Sequence, residues 1–203
     1  MIYIVGIGPG HKDYILNKAL KVMEVCDLII GFKRAVESID FIDTDKKCMT
    51  KLSDLDQYIL ENNQKNIAII ASGDPTFYGI TNYIKSRAKV DFEVIPGISS
   101  FQYMTCKMKL PWNKAHLGSL HGRKENFINC VKNNNLSIWL TDKENCPKNL
   151  CKILIEHGIK CTVLIGENLS YDNEVIYEGN PQDFIEKDFD DLNIFIVNRD
   201  YKD

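Results

Sequence analysis

Five consecutive apolar residues, Ile67-Ala68-Ile69-Ile70-Ala71, run without a polar break and stop at Ser72-Gly73-Asp74-Pro75. A short run so rich in β-branched side chains predicts a strand buried on both faces. Such a strand needs helices above and below its sheet, which restricts the chain to a layered α/β fold. The stop is informative too. Glycine lets the backbone turn or approach a ligand, proline fixes φ and removes a donor, and aspartate bonds local amides. Open α/β sheets place ligands beyond the carboxyl ends of their strands, so this loop is a candidate binding loop; an ordinary strand-to-helix turn is the plainer reading.

The rest of the first half alternates in the same way. Ile2–Val5 reads as a strand followed by Gly6-Ile7-Gly8-Pro9-Gly10, and an apolar stripe through Ile15, Ala19, Val22 and Cys26 predicts a helix from about Tyr14. A strand is expected over Asp27–Ile30, little is signalled between Gly31 and Thr50, and Ser53 is a candidate N-cap for a helix over Asp54–Asn62. After the Ile67 strand come a helix around Gly79–Arg87, a strand Phe92–Ile95 closed by Pro96-Gly97, and a helix opened by the capping-box pattern Ser99-Ser100-Phe101-Gln102. The alternation breaks between Lys107 and Ala115, the expected connection between a domain over 1–110 and another over 115–203.

The second half offers strands at His116–Leu120, Ser137–Leu140 and Cys161–Ile165, with helices at Glu125–Val131 and Pro147–His157. Proline at the first helical position and Gly158 just past the end fit the asymmetry of helix termini. Two closely following runs, Glu174–Tyr177 and Asn193–Val197, predict antiparallel pairing and hence a mixed sheet.

Composition excludes several classes. A net charge of −3 argues against a general nucleic-acid binder. No apolar run approaches the ~20 residues that span a bilayer, and the chain opens directly into a strand, so a cytoplasmic protein is expected. The 7 cysteines contain no Cys-x-x-Cys pair, and Cys146 and Cys151, five apart, have no histidine beside them at ligand spacing, so no metal site is expected and most read as small buried hydrophobes. The first glycine loop fails as a dinucleotide fingerprint, because Pro9 stands where an amide is needed to cradle a pyrophosphate.

Gly6-Ile7-Gly8-Pro9-Gly10, then Ser72-Gly73-Asp74-Pro75 with Tyr78-Gly79, then Val94-Ile95-Pro96-Gly97-Ile98-Ser99-Ser100 together resemble the S-adenosylmethionine-dependent tetrapyrrole (corrin/porphyrin) methylase family. Along essentially the whole chain, the resemblance implies an α/β fold of two domains, a parallel-sheet N-terminal one and a mixed-sheet C-terminal one, with a cleft between them. It implies that Pro9, Ser72, Gly73, Asp74, Phe77, Ser99 and Ser100 bind S-adenosylmethionine. Asp74 can meet a ribose hydroxyl or an amino group, or serve only as a turn aspartate. Ser119-Leu120-His121-Gly122-Arg123 and Glu167-Asn168-Leu169-Ser170-Tyr171 are similar to segments of the members that methylate ring carbon C5 of cobalt-precorrin-7 in cobalamin synthesis. Ser170 departs from the glycine usual at its position.

The implied partner is a small-molecule corrin intermediate carrying several carboxylates, with a homodimer expected and neither nucleic acid nor membrane. Arg123 suits bidentate carboxylate binding, and Lys12, Lys107, Lys109, Lys114 and Lys124 can add to the field. His121 can bond a substrate carboxylate, take up the proton lost after methylation, or simply bond a neighbouring backbone group. His121 and Arg123 are therefore the candidate catalytic pair. Methylation at another ring carbon, and a non-catalytic S-adenosylmethionine-binding module, remain the alternatives.

Overall fold

The structure, a computed structural model, describes residues 1–87 and 91–200, with Arg87 described by its backbone alone. The chain forms two compact units, Met1–Ser100 and Phe101–Asp203.

The first unit is built on five strands: β1 (Ile2–Gly6), β2 (Leu28–Phe32), β3 (Lys46–Met49), β4 (Ile67–Ala71) and β5 (Phe92–Ile95). They lie in the order β3-β2-β4-β1-β5, and every pairing is parallel. The continuous isoleucine run is β4, flanked by β1 and β2, and both its faces are covered as its composition requires. Ala68 and Ile70 join Val5 and Ile29 against α1 (Asn17–Val25) and α2 (Lys33–Glu37), through Ala19, Met23 and Val36. Ile67 and Ile69 join Ile4 and Ile30 against α3 (Asp54–Glu61) and α4 (Thr81–Arg87), through Leu55 and Ile84. Neighbouring β1 and β4 send their onward connections to opposite sides of the sheet, the arrangement that opens a ligand crevice at the carboxyl ends of the strands.

The second unit opens with α5 (Ser100–Lys107) and carries β6 (His116–Ser119), β7 (Leu136–Leu140), β8 (Thr162–Glu167), β9 (Val175–Gly179) and β10 (Asn193–Asn198), ordered β6-β7-β10-β8-β9. Only β6 and β7 are parallel; the remaining pairs are antiparallel, making the sheet mixed. On one face α6 (Phe127–Asn133) and α7 (Pro147–Glu156) bury Phe127, Val131, Leu150 and Leu154 against Trp139, Phe195 and Val163. Pro147 begins α7, and Gly158 takes a left-handed φ of 63° just beyond it.

Three local expectations change. The stretch Gly31–Thr50 folds into α2 and β3, both too short for a periodic signal. Ser53 makes no side-chain cap; the Asp54 carboxylate instead accepts from the Thr50 and Lys51 amides at 3.0 and 3.1 Å, closing the turn from inside the helix. Among the cysteines only Cys26, Cys151 and Cys161 are buried, while Cys48 and Cys106 are exposed; all seven are free thiols. Burial pushes the Cys26 and Cys161 thiols up to about 11 and Cys151 to about 12, as expected of inert packing groups.

Candidate active site

The carboxyl ends of β1, β4 and β5 meet backbone against backbone. Gly8 and Gly73 exchange hydrogen bonds, Gly73 N–H to the Gly8 carbonyl at 2.7 Å and Gly8 N–H to the Gly73 carbonyl at 3.3 Å. A Cβ on Gly97 would lie 2.1 Å from the Gly73 carbonyl oxygen and 2.9 Å from Gly6. Only glycine allows this approach. Gly73 itself has a φ of +67° but is open on its side-chain side, with Ser99 the nearest neighbour at 3.5 Å. The three loops that sequence similarity linked thus meet in one contiguous backbone ridge, buried over Gly6–Gly10 and half-buried at Gly73 and Gly97.

Asp74 locks the ridge. Oδ1 accepts from the Thr76 amide at 2.7 Å and from its hydroxyl, and Oδ2 accepts from the Gly97 amide at 3.2 Å. The turn role weighed for this residue is therefore present, and it also ties the β4 loop to the β5 loop. Pro9 is buried within the first loop, Ser72 is exposed, and Ser99 is 5% exposed beneath Gly73. Phe77 packs edge-on to Tyr78 with ring centroids 4.9 Å apart. Ser100 begins α5, where the first-turn amides lack intrahelical partners. Half-buried glycine backbone at Gly73 and Gly97 and the hydroxyl-bearing helix start at Ser100 suit a ligand held mainly by backbone hydrogen bonds.

The second unit positions His121 and Arg123 on the loop after β6. Asp142, just beyond β7, holds that loop: its carboxylate accepts from the Gly122 amide at 2.9 Å and the Asn145 amide at 2.8 Å. The Gly122 amide, aided by the amides of Asn145 and Glu144, keeps the Asp142 carboxyl below the usual carboxylate range. His121 Nδ1 lies 3.0 Å from the Thr141 carbonyl. A carbonyl only accepts, so Nδ1 carries the proton and Nε2 is left as an acceptor. The plain reading of His121 as a backbone-bonded histidine is realised, and it fixes the tautomer a general base requires. Arg123 is exposed on the same loop.

Sequence reasoning missed Asp142 and a second cluster. Glu174 receives Lys107 at 3.0 Å and the Ser170 amide at 2.6 Å, and Tyr103 joins them. Burial alone would raise the Glu174 carboxyl, but these bonds outweigh it and hold it low. Burial, with Glu174 alongside, pushes the Tyr103 phenol up to about 12. Lys107, expected to add to a basic field, is instead committed to this ion pair. A shallow concavity of about 360 Å³ at the end of α5 is lined by Thr105, Lys109, Leu110 and Trp112, and none of the candidate catalytic or cofactor residues borders it.

The family model for tetrapyrrole (corrin/porphyrin) methylases matches residues 1–184. The chain is 39% identical to a probable cobalt-precorrin-7 C(5)-methyltransferase of Methanocaldococcus jannaschii, over 98% of this chain and 99% of that one. It is 28% identical to the cobalt-precorrin-7 C(5)-methyltransferase of Salmonella typhimurium, covering 87% and 89%. In fold it is similar to precorrin-6Y methylase from Archaeoglobus fulgidus (TM-score 0.78, 24% identity, 99% and 98% covered). It is similar also to uroporphyrin-III C-methyltransferase from Thermus thermophilus in complex with S-adenosylhomocysteine (TM-score 0.80, 17% identity, 97% and 91% covered). The family match over most of the chain and a near full-length relative together show that this protein belongs to the tetrapyrrole (corrin/porphyrin) methylases.

Proposed function

We propose that the chain methylates ring carbon C5 of cobalt-precorrin-7, giving cobalt-precorrin-8 in cobalamin synthesis, with S-adenosylmethionine as donor. The observation that carries this reading is the 39% identity, end to end, with a relative named for that reaction. When bound, S-adenosylmethionine supplies a methyl group already activated by the sulfonium. Little acid or base help is then required, and holding the reactants at near-attack distance can contribute roughly 7–11 kcal/mol.

The residues follow from that division of labour. Gly73, Ser99 and Ser100 hold the donor through backbone and hydroxyl groups, with Pro9, Ser72 and Phe77 shaping the loop edges and Asp74 fixing two loops together. Arg123 grips a peripheral carboxylate of the macrocycle. His121, its Nδ1 proton bound to Thr141, presents Nε2 to the proton released after C–C bond formation. In this reading residues 1–110 carry the donor-binding loops, and 115–203 contribute to binding both donor and substrate. The working form is a homodimer in the cytoplasm; no helix among the described residues is long and apolar enough to cross a membrane.

Incubation with cobalt-precorrin-7 and methyl-labelled S-adenosylmethionine, followed by NMR of the product, tests the reading. Label at C5 is expected. Label at another ring carbon would transfer the assignment to a different member of the family, and binding without turnover would leave only a donor-binding module.

A further inference from the structure

Outside the residues used above, folding brings three different donors to one place in the second unit. An imidazole nitrogen of His116, a Glu125 carboxylate oxygen and Cys130 Sγ all lie within 4.8 Å of one another, each half-buried. They come from β6, the loop before α6, and α6 itself, so no sequence spacing announces them. We propose that His116, Glu125 and Cys130 form a binding site for Zn²⁺, with its fourth position left to water.

The surroundings are built for that arrangement. Glu125 Oε1 is 3.1 Å from His116 Nε2, while Oε2 is held by the Ser119 amide at 2.9 Å. One oxygen is anchored to the strand and the other is presented to the histidine, the outer support that metal-ligating carboxylates receive. Gly118 makes room: a Cβ there would meet Trp139 at 2.4 Å and Glu125 Oε2 at 3.0 Å. The Trp139 ring, with its centroid 5.1 Å from that of His116, limits how the imidazole can turn. An imidazole nitrogen, a thiolate and one carboxylate oxygen form a borderline-soft set that favours Zn²⁺ or Co²⁺ over Mg²⁺ or Ca²⁺, which need oxygen cages. On binding, the Cys130 thiol gives its proton to solvent and its sulfur lone pair to the metal. The ion then fastens α6 to β6 across the loop that carries His121 and Arg123, without entering the methyl transfer.

The test uses the full chain, stripped with a chelator, kept reduced and titrated with Co²⁺. A thiolate-to-cobalt charge-transfer band saturating at one equivalent, and erased by Zn²⁺, is expected. Cys130→Ser should abolish the band, and His116→Gln and Glu125→Gln should each weaken binding by roughly tenfold or more. A Cys48→Ser/Cys106→Ser double variant, lacking the exposed thiols, should keep the band unchanged. Zn²⁺ should raise the melting temperature of wild type but not of His116→Gln, a readout that stands even if Cys130→Ser folds poorly. No band at one equivalent, a band surviving in Cys130→Ser, or equal melting shifts in wild type and His116→Gln would overturn the site.

Discussion

Gly97→Ala tests the backbone ridge where it is tightest. The added methyl would sit 2.1 Å from the Gly73 carbonyl oxygen and 2.9 Å from Gly6. Ordinary contact is 3.4–4 Å, and the obstructing atoms are main chain, which cannot rotate aside. Separating the loops strains or breaks the Gly8–Gly73 hydrogen bonds and the Asp74 bond to the Gly97 amide. Overpacking costs about 1–3 kcal/mol and one lost hydrogen bond about 1 kcal/mol. Reduced freedom of the unfolded chain returns about 0.4–1 kcal/mol. The net is a loss of about 2 kcal/mol, roughly one and a half decades in the folding constant.

Gly73→Ala is the control. Its side-chain space is open, so it carries only the left-handed backbone penalty of about 1–2 kcal/mol, partly offset through the unfolded state. Native-state hydrogen exchange of the β4 amides, such as Ile69, reads the difference. If Gly97→Ala is no more destabilising than Gly73→Ala by that measure, the argument from close approach fails.

Four further predictions follow from other parts of the molecule. Arg123→Ala should raise KM for the tetrapyrrole by roughly 10–100-fold, the scale of a lost charge-assisted bond, while calorimetric affinity for S-adenosylhomocysteine stays unchanged; equal loss of both would remove Arg123 from its role. Asp142→Asn frees the loop without touching either ligand, so KM for the tetrapyrrole should rise roughly tenfold with kcat little altered, and a fall in kcat alone would contradict it. Asp142 and Glu174 both titrate below the ordinary carboxylate range, so their stabilisation is complete above about pH 5 and is lost as pH falls through the lower folded values. Asp142→Asn and Glu174→Gln should therefore flatten the acid limb of the stability profile, and an unchanged limb would show the bonds contribute nothing. Ser170, a non-glycine residue at φ 72°, should be stabilised by roughly 0.5–1 kcal/mol in Ser170→Gly, and a lower melting temperature would refute the strain.

What could be read ahead of the structure, and what could not, follows from range. The β4 run, the Pro147–Gly158 helix and the antiparallel end of the chain carry local signals, and the structure contains all three. The loop motifs were legible because backbone approach demands glycine at fixed positions, which leaves a mark in sequence. Asp142 left none, because an aspartate after a strand looks like any turn residue until folding sets Gly122 against it. The His116–Glu125–Cys130 cluster is equally silent, its members joined only by the packing of α6 on β6. Ser53 misled for the opposite reason: a favoured cap residue stood where Asp54 does the capping.

The claim beneath all of this is that the loops after β1, β4 and β5 hold the methyl donor. Amide chemical shifts recorded while S-adenosylhomocysteine is added test it most directly. The account predicts saturable shifts concentrated at Gly6–Gly10, Ser72–Gly79 and Gly97–Ser100. Shifts confined to other strand ends, or none at saturating ligand, would contradict it.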